Sequence, residues 1–74
     1  MNKRTEEAYG KIEEALEGLE AIEVSFLRKK HSKREEFLVS VQEWIEDKGF
    51  CTPKQAAAVD DIYLALQQAN VLEE

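Results

Sequence analysis

A lone cysteine, Cys51, excludes an intrachain disulfide and any multi-cysteine metal site within one chain. One proline and three glycines in 74 residues give little punctuation, so the elements are expected to be few and long. The longest aliphatic run, residues 56–59, spans four residues, far short of the roughly 20 that cross a bilayer. Residues 1–7 are polar and charged and carry no apolar stretch of the signal-peptide kind. No strand-type alternation, internal repeat or low-complexity tract occurs. These absences lead to the expectation of one all-α domain over residues 1–74, with no membrane partner and a cytoplasmic address.

Hydrophobic residues make up 43% and charged residues 35%, a balance suited to folding rather than disorder. A domain this small buries only about 60% of its unfolded surface, so a lone core is marginal and self-association is a natural support. The net charge of −6 is unevenly spread. Residues 1–27 carry three cations and seven carboxylates; residues 28–34 carry five cations and no carboxylate; residues 35–74 carry two cations and nine carboxylates. A surface so acidic repels phosphate and argues against direct nucleic-acid binding. It suits a basic protein partner better.

Three helices are expected, over about residues 5–30, 32–48 and 53–69. Thr5 with Glu6 and Glu7 reads as the first start, a capping hydroxyl followed by carboxylates at the positive end of the dipole. Tyr9, Ile12, Leu16 and Leu19 then form an apolar stripe, which Ile22 and Phe26 extend with one slip of phase. Gly18 lies close to this seam and reads as a tolerated glycine. Ser32 with Glu35 has the form of a capping box that opens the second helix, although no Gly or Pro bars one helix from running through the joint. Phe37, Leu38, Val41, Trp44 and Ile45 make a broad apolar face before Gly49, a helix stop, and Phe50. Thr52, Pro53 and Gln55 together signal the third start. Val59, Ile62, Leu66 and Ala69 form its stripe, and Asn70 fits the C-cap.

The expected architecture is a three-helix bundle, or a helical hairpin plus a long N-terminal helix. Because the first stripe outruns its two neighbours by about two turns, a homodimer with the first helices packed together is expected.

Catalysis needs an activated nucleophile, an acid–base pair, or a metal or cofactor. His31 stands among Lys29, Lys30 and Lys33, whose charge disfavours its protonated form and repels a divalent cation, and it reads as a solvated side chain in a basic joint. Cys51 precedes a helix start, where a thiol can be activated, but it reads as a small apolar filler of the turn. Asp60 and Asp61 are adjacent, so on a helix they point about 100° apart and do not converge on a metal. No phosphate loop or dinucleotide fingerprint is present. A protein without catalytic residues, metal or cofactor is therefore expected.

Two charged features remain as binding candidates. The carboxylates Glu13, Glu17, Glu20, Asp60 and Asp61 are the candidate face for a basic partner. The alternative is the basic cluster Arg28, Lys29, Lys30, Lys33 and Arg34, which either contacts phosphates or offsets the glutamates of neighbouring helices. Trp44 and Phe50 have the chemistry to stack on bases, but the spacing of Trp44 from Val41 and Ile45 reads as core.

The segment Phe37-Leu-Val-Ser-Val-Gln-Glu-Trp44-Ile-Glu-Asp-Lys-Gly49-Phe50-Cys-Thr52-Pro53-Lys54-Gln55 resembles a helical hairpin of small bacteriophage and mobile-element accessory proteins, over about residues 37–66. Their pattern is a Gly-aromatic-x-Thr/Ser-x-Lys-Gln turn. The resemblance implies a protein that works in a bacterial host and binds a host protein or ribonucleoprotein complex, such as a CRISPR or other defence effector. Joined to the acidic charge, it leads to the expectation of an inhibitor or modulator that imitates nucleic-acid charge. The alternatives are a nucleic-acid accessory module built on the basic cluster and a structural or assembly subunit.

Overall fold

The computed structural model describes residues 2–69 and is all-helical there, with four helices and no strand. They are α1 (Lys3–Glu20), α2 (Ser25–Lys30), α3 (Ser32–Lys48) and α4 (Pro53–Gln68). The expected helices over 32–48 and 53–69 correspond to α3 and α4. The expected helix over 5–30 is instead two. Asn70, read as a C-cap, lies outside the described residues; Ala69 caps α4.

Asn2 rather than Thr5 caps α1: its Oδ1 accepts the Thr5 N–H at 2.8 Å. The helix ends at Ala21, whose N–H reaches Glu17 O at 3.1 Å, while Ile22 N–H turns tightly to Leu19 O at 3.2 Å. Local chemistry weakens the helix here. Glu17 and Glu20 lie at the negative end of the dipole, and Ile22 and Val24 are β-branched. Chain reversal supplies the stronger reason. Only His31 separates Lys30 from Ser32, whereas helix–helix reversals take about two to eight residues. Residues 21–24 provide that connection, and α3 can then return along α1.

α2 and α3 share His31 as cap, with φ −101° and ψ 10°. Ser32 is the first residue of α3 rather than its cap, and no side chain caps this start. At the other end of α3, Gly49 takes φ +81° and donates its N–H to Ile45 O at 2.7 Å. Thr52 and Gln55 close a reciprocal capping box: Gln55 N–H to Thr52 Oγ1 at 3.1 Å and Thr52 N–H to Gln55 Oε1 at 2.9 Å.

The core is built around α1, which packs most extensively on α4 and then on α3; α2 rests chiefly on α3. From α1 it takes Ala8, Ile12, Ala15 and Leu19; from α3 Leu38, Val41 and Ile45; from the turn Cys51; and from α4 Val59 and Leu66. The buried line of α1 is shifted from the expected stripe. Ala8 and Ala15 alternate on it with Ile12 and Leu19, while Tyr9 and Leu16 pack on the flank. The seam expected to need a second copy is thus largely covered within one chain, since Ile12 and Leu19 are fully buried. Phe26, expected to extend it, lies on α2 and is 71% exposed.

Candidate functional site

The five carboxylates singled out in the sequence do not form one face. Glu13, Glu17 and Glu20 are all exposed and lie along one flank of α1. Their rises of about 6 and 4.5 Å follow from helix geometry. Glu6, seven residues before Glu13 and also exposed, continues the line, and helical spacing alone would have found it. Asp60 belongs elsewhere: it pairs with Lys11 of α1. Lys11 and Glu20 are nine residues apart, so at about 100° per residue they point to opposite sides of α1. Asp61 is exposed on α4.

The Lys11–Asp60 pair belongs to a polar strip that borders the α1–α4 contact. The Tyr63 hydroxyl donates to Glu14, and the Lys11 ammonium lies 5.9 Å from the centre of the Tyr63 ring. These groups are partly open to solvent, so each ion pair contributes at most about 1 kcal/mol. The strip joins α1 to α4 at the edge of their contact and removes Asp60 from the set of unengaged carboxylates.

The basic cluster is also divided. Arg34 turns inward, with Nη1 2.9 Å from His31 Nδ1. Arg28 Nη2 lies 3.7 Å from Glu35 Oε2. Lys29, Lys30 and Lys33 are exposed and have no ion pair among the described residues. His31 is buried rather than solvated. A guanidinium can only donate, so Nδ1 accepts and the ring carries its proton on Nε2. Burial foremost, then Arg34 and Lys30, hold the imidazole pKa below its ordinary value.

Two apolar groups are more exposed than their spacing in the sequence implied. At the cap and first turn of α2, Val24, Phe26 and Leu27 are exposed beside the cations, and no residue of that helix is buried. The slip of phase at Ile22 was the only signal of it. At the far end of α3, Trp44 meets Phe50 edge-on, with centroids 6.3 Å apart and planes at 82°, and Lys48 Nζ lies 5.7 Å from the Trp44 ring centre. Trp44 and Phe50 are 38% and 45% exposed, so Trp44 is a rim residue and not core.

Among the described residues, no group of three or more His, Cys, Asp or Glu side chains is placed to hold a metal ion, and no helix is long and apolar enough to cross a membrane. Cys51 is a buried free thiol in the α3–α4 turn. No family model, curated protein or solved structure matches the chain.

Proposed function

We propose that this chain is a non-catalytic binding protein whose α1 carboxylates occupy a basic surface built for nucleic acid. One observation carries the reading. Glu13, Glu17 and Glu20 stand exposed in a line and without an ion pair among the described residues, whereas Asp60 and Glu35 have cationic partners. Carboxylates about 4.5–6 Å apart along a rigid helix approach the charge density of a nucleic-acid strand, about one per 3.4 Å. Arginine and lysine engage carboxylate and phosphate through the same donors. The resemblance of the α3–α4 turn to bacteriophage accessory proteins supplies the class of partner, a host nucleic-acid-handling complex such as a defence effector.

The test is capture of a partner from bacterial host lysate, followed by competition with the nucleic acid that partner holds. Glu13→Lys, Glu17→Lys and Glu20→Lys together should slow association and abolish the competition, while Asp60→Asn should not. A partner that holds this protein and its nucleic acid at once would refute the mimicry. The exposed trio Lys29, Lys30 and Lys33 favours a second reading, a nucleic-acid accessory module. That reading requires duplex binding at physiological salt that declines steeply as salt is added.

A further inference from the structure

We infer that α2 docks onto a second copy of this chain, seating Phe26 and its neighbouring cations on an acid-rimmed depression in the outer face of α3. The proposal does not rest on the α1 carboxylates and leaves them free.

α2 lacks what normally sustains a helix. It has six residues and buries none of them. Isolated helices below about 12–15 residues are marginal in water, so packing must maintain this one. Its main neighbour is α3, through a small contact, and Val24, Phe26 and Leu27 remain 47%, 71% and 41% exposed. Three exposed apolar side chains within four residues, next to Arg28, Lys29 and Lys30, specify a partner with an apolar seat inside an acidic rim.

α3 offers that seat. Glu36, Val39, Ser40 and Glu43 stand at positions i, i+3, i+4 and i+7, the four corners of the hole that receives a knob when helices interlock. Two small side chains ringed by longer glutamates leave an open depression of about 400 Å³, lined by these four and Glu35. Val39, one of the two small corners, is 37% exposed. Glu35 pairs with Arg28, whereas Phe26, about 160° around α2 from Arg28, shares its side with Lys29 and Lys30 and points away from that pair. A two-fold operation that sets each α2 on the other copy's depression makes an isologous contact, which closes at two chains.

Charge selects this occupant over the other candidates. Outside residues 28–34 the chain carries sixteen carboxylates and five cations. Two copies repel one another overall, but locally Glu35, Glu36 and Glu43 around the depression attract Lys29 and Lys30 beside Phe26, the one basic stretch of a second copy. The patch is small and its rim wet, so the dimer is expected to be weak and sensitive to salt.

Sedimentation equilibrium of the full chain over a range of concentrations provides the test, with circular dichroism confirming that each variant folds. The expected result is a monomer–dimer equilibrium, loosened at least about tenfold by Phe26→Ser and by about 1 M salt, where the Debye length falls to about 3 Å. Lys29→Glu with Lys30→Glu should give a monomer, as should Glu36→Lys with Glu43→Lys. Mixing those two variants should restore a dimer, because each acidic α2 then meets a basic depression and each basic α2 an acidic one. A wild-type chain that stays monomeric at all concentrations would overturn the proposal, as would a dimer indifferent to Phe26→Ser and salt. So would a charge-swapped pair that fails to associate, or a monomer that uses Phe26 to bind anionic vesicles or duplex DNA.

Discussion

The hydroxyl of Thr5 accepts a hydrogen bond from the backbone N–H of Cys51 at 3.2 Å, tying the first turn of α1 to the α3–α4 turn across 46 positions of sequence. Both residues are buried, and Thr5 is fully so. The Cys51 N–H lies in a tight turn and must find an acceptor inside the protein. Because Asn2 already caps α1, the Thr5 oxygen is available for that role.

Thr5→Val keeps the shape and removes the acceptor. It should cost about 1–3 kcal/mol, the usual penalty for an orphaned buried donor. Thr5→Ser keeps the oxygen and should lose only about 1 kcal/mol for the missing methyl. Urea denaturation with unchanged m-values would show the difference. Equal losses for the two variants would mean that the bond does not support the turn.

The α3–α4 turn depends on Gly49 for its backbone. No neighbour lies within 4 Å of a Cβ built there, so Gly49→Ala meets no clash and should cost only the strain of φ +81°. That strain is about 1–2 kcal/mol. Gly49→Asn should cost less, because Asn enters the left-handed region more readily. Thr52→Ala should cost about 1 kcal/mol through loss of the cap.

His31 makes stability depend on pH in a definite direction. Its folded pKa lies below the unfolded value of about 6.5, because burial and the charges of Arg34 and Lys30 oppose protonation. Between the two values the unfolded chain binds more protons, so stability rises with pH there. The contribution is complete above about pH 6.5 and is lost as pH falls through the folded value. Glu35 of α3 pairs with Arg28 of α2 beside this joint. Denaturation midpoints should therefore decline on mild acidification, and His31→Gln should flatten the decline between about pH 6.5 and the carboxylate range. An identical slope in the variant would locate the pH dependence elsewhere.

Features fixed by neighbours in sequence were legible from the residues. The start of α4 needs only Thr52, Pro53 and Gln55, and its capping box is present. The stop at Gly49 and the buried line of Leu38, Val41 and Ile45 are equally local in origin. The break at residues 21–24 was not legible, because no Gly or Pro marks it and its main cause is the distant requirement that α3 return along α1. The inner positions of Ala8 and Ala15 escaped notice for a related reason. Periodicity ranks large apolar residues first, but here small ones alternate with them on the buried line of a helix that packs on two others. The candidate carboxylates failed as a set because contacts such as Lys11–Asp60, 49 residues apart, leave no periodic trace. The exposure of Phe26 is a direct result of the break.

A paired substitution tests that break. Leu19 and Phe26 are seven residues apart, so one continuous helix over residues 5–30 would place both on the same buried face. In the observed fold Leu19 is fully buried on α1 while Phe26 is 71% exposed on α2. Leu19→Ala should cost about 2–5 kcal/mol, the range for a large-to-small change in a core. Phe26→Ala should stay within about 0.5 kcal/mol when measured at low protein concentration, where self-association does not contribute. The double variant should equal the sum of the two, because one residue lies in the core of α1 and the other stands exposed on a separate helix. A loss of several kcal/mol at Phe26 under dilute conditions, coupled to the loss at Leu19, would show that the two helices behave as one.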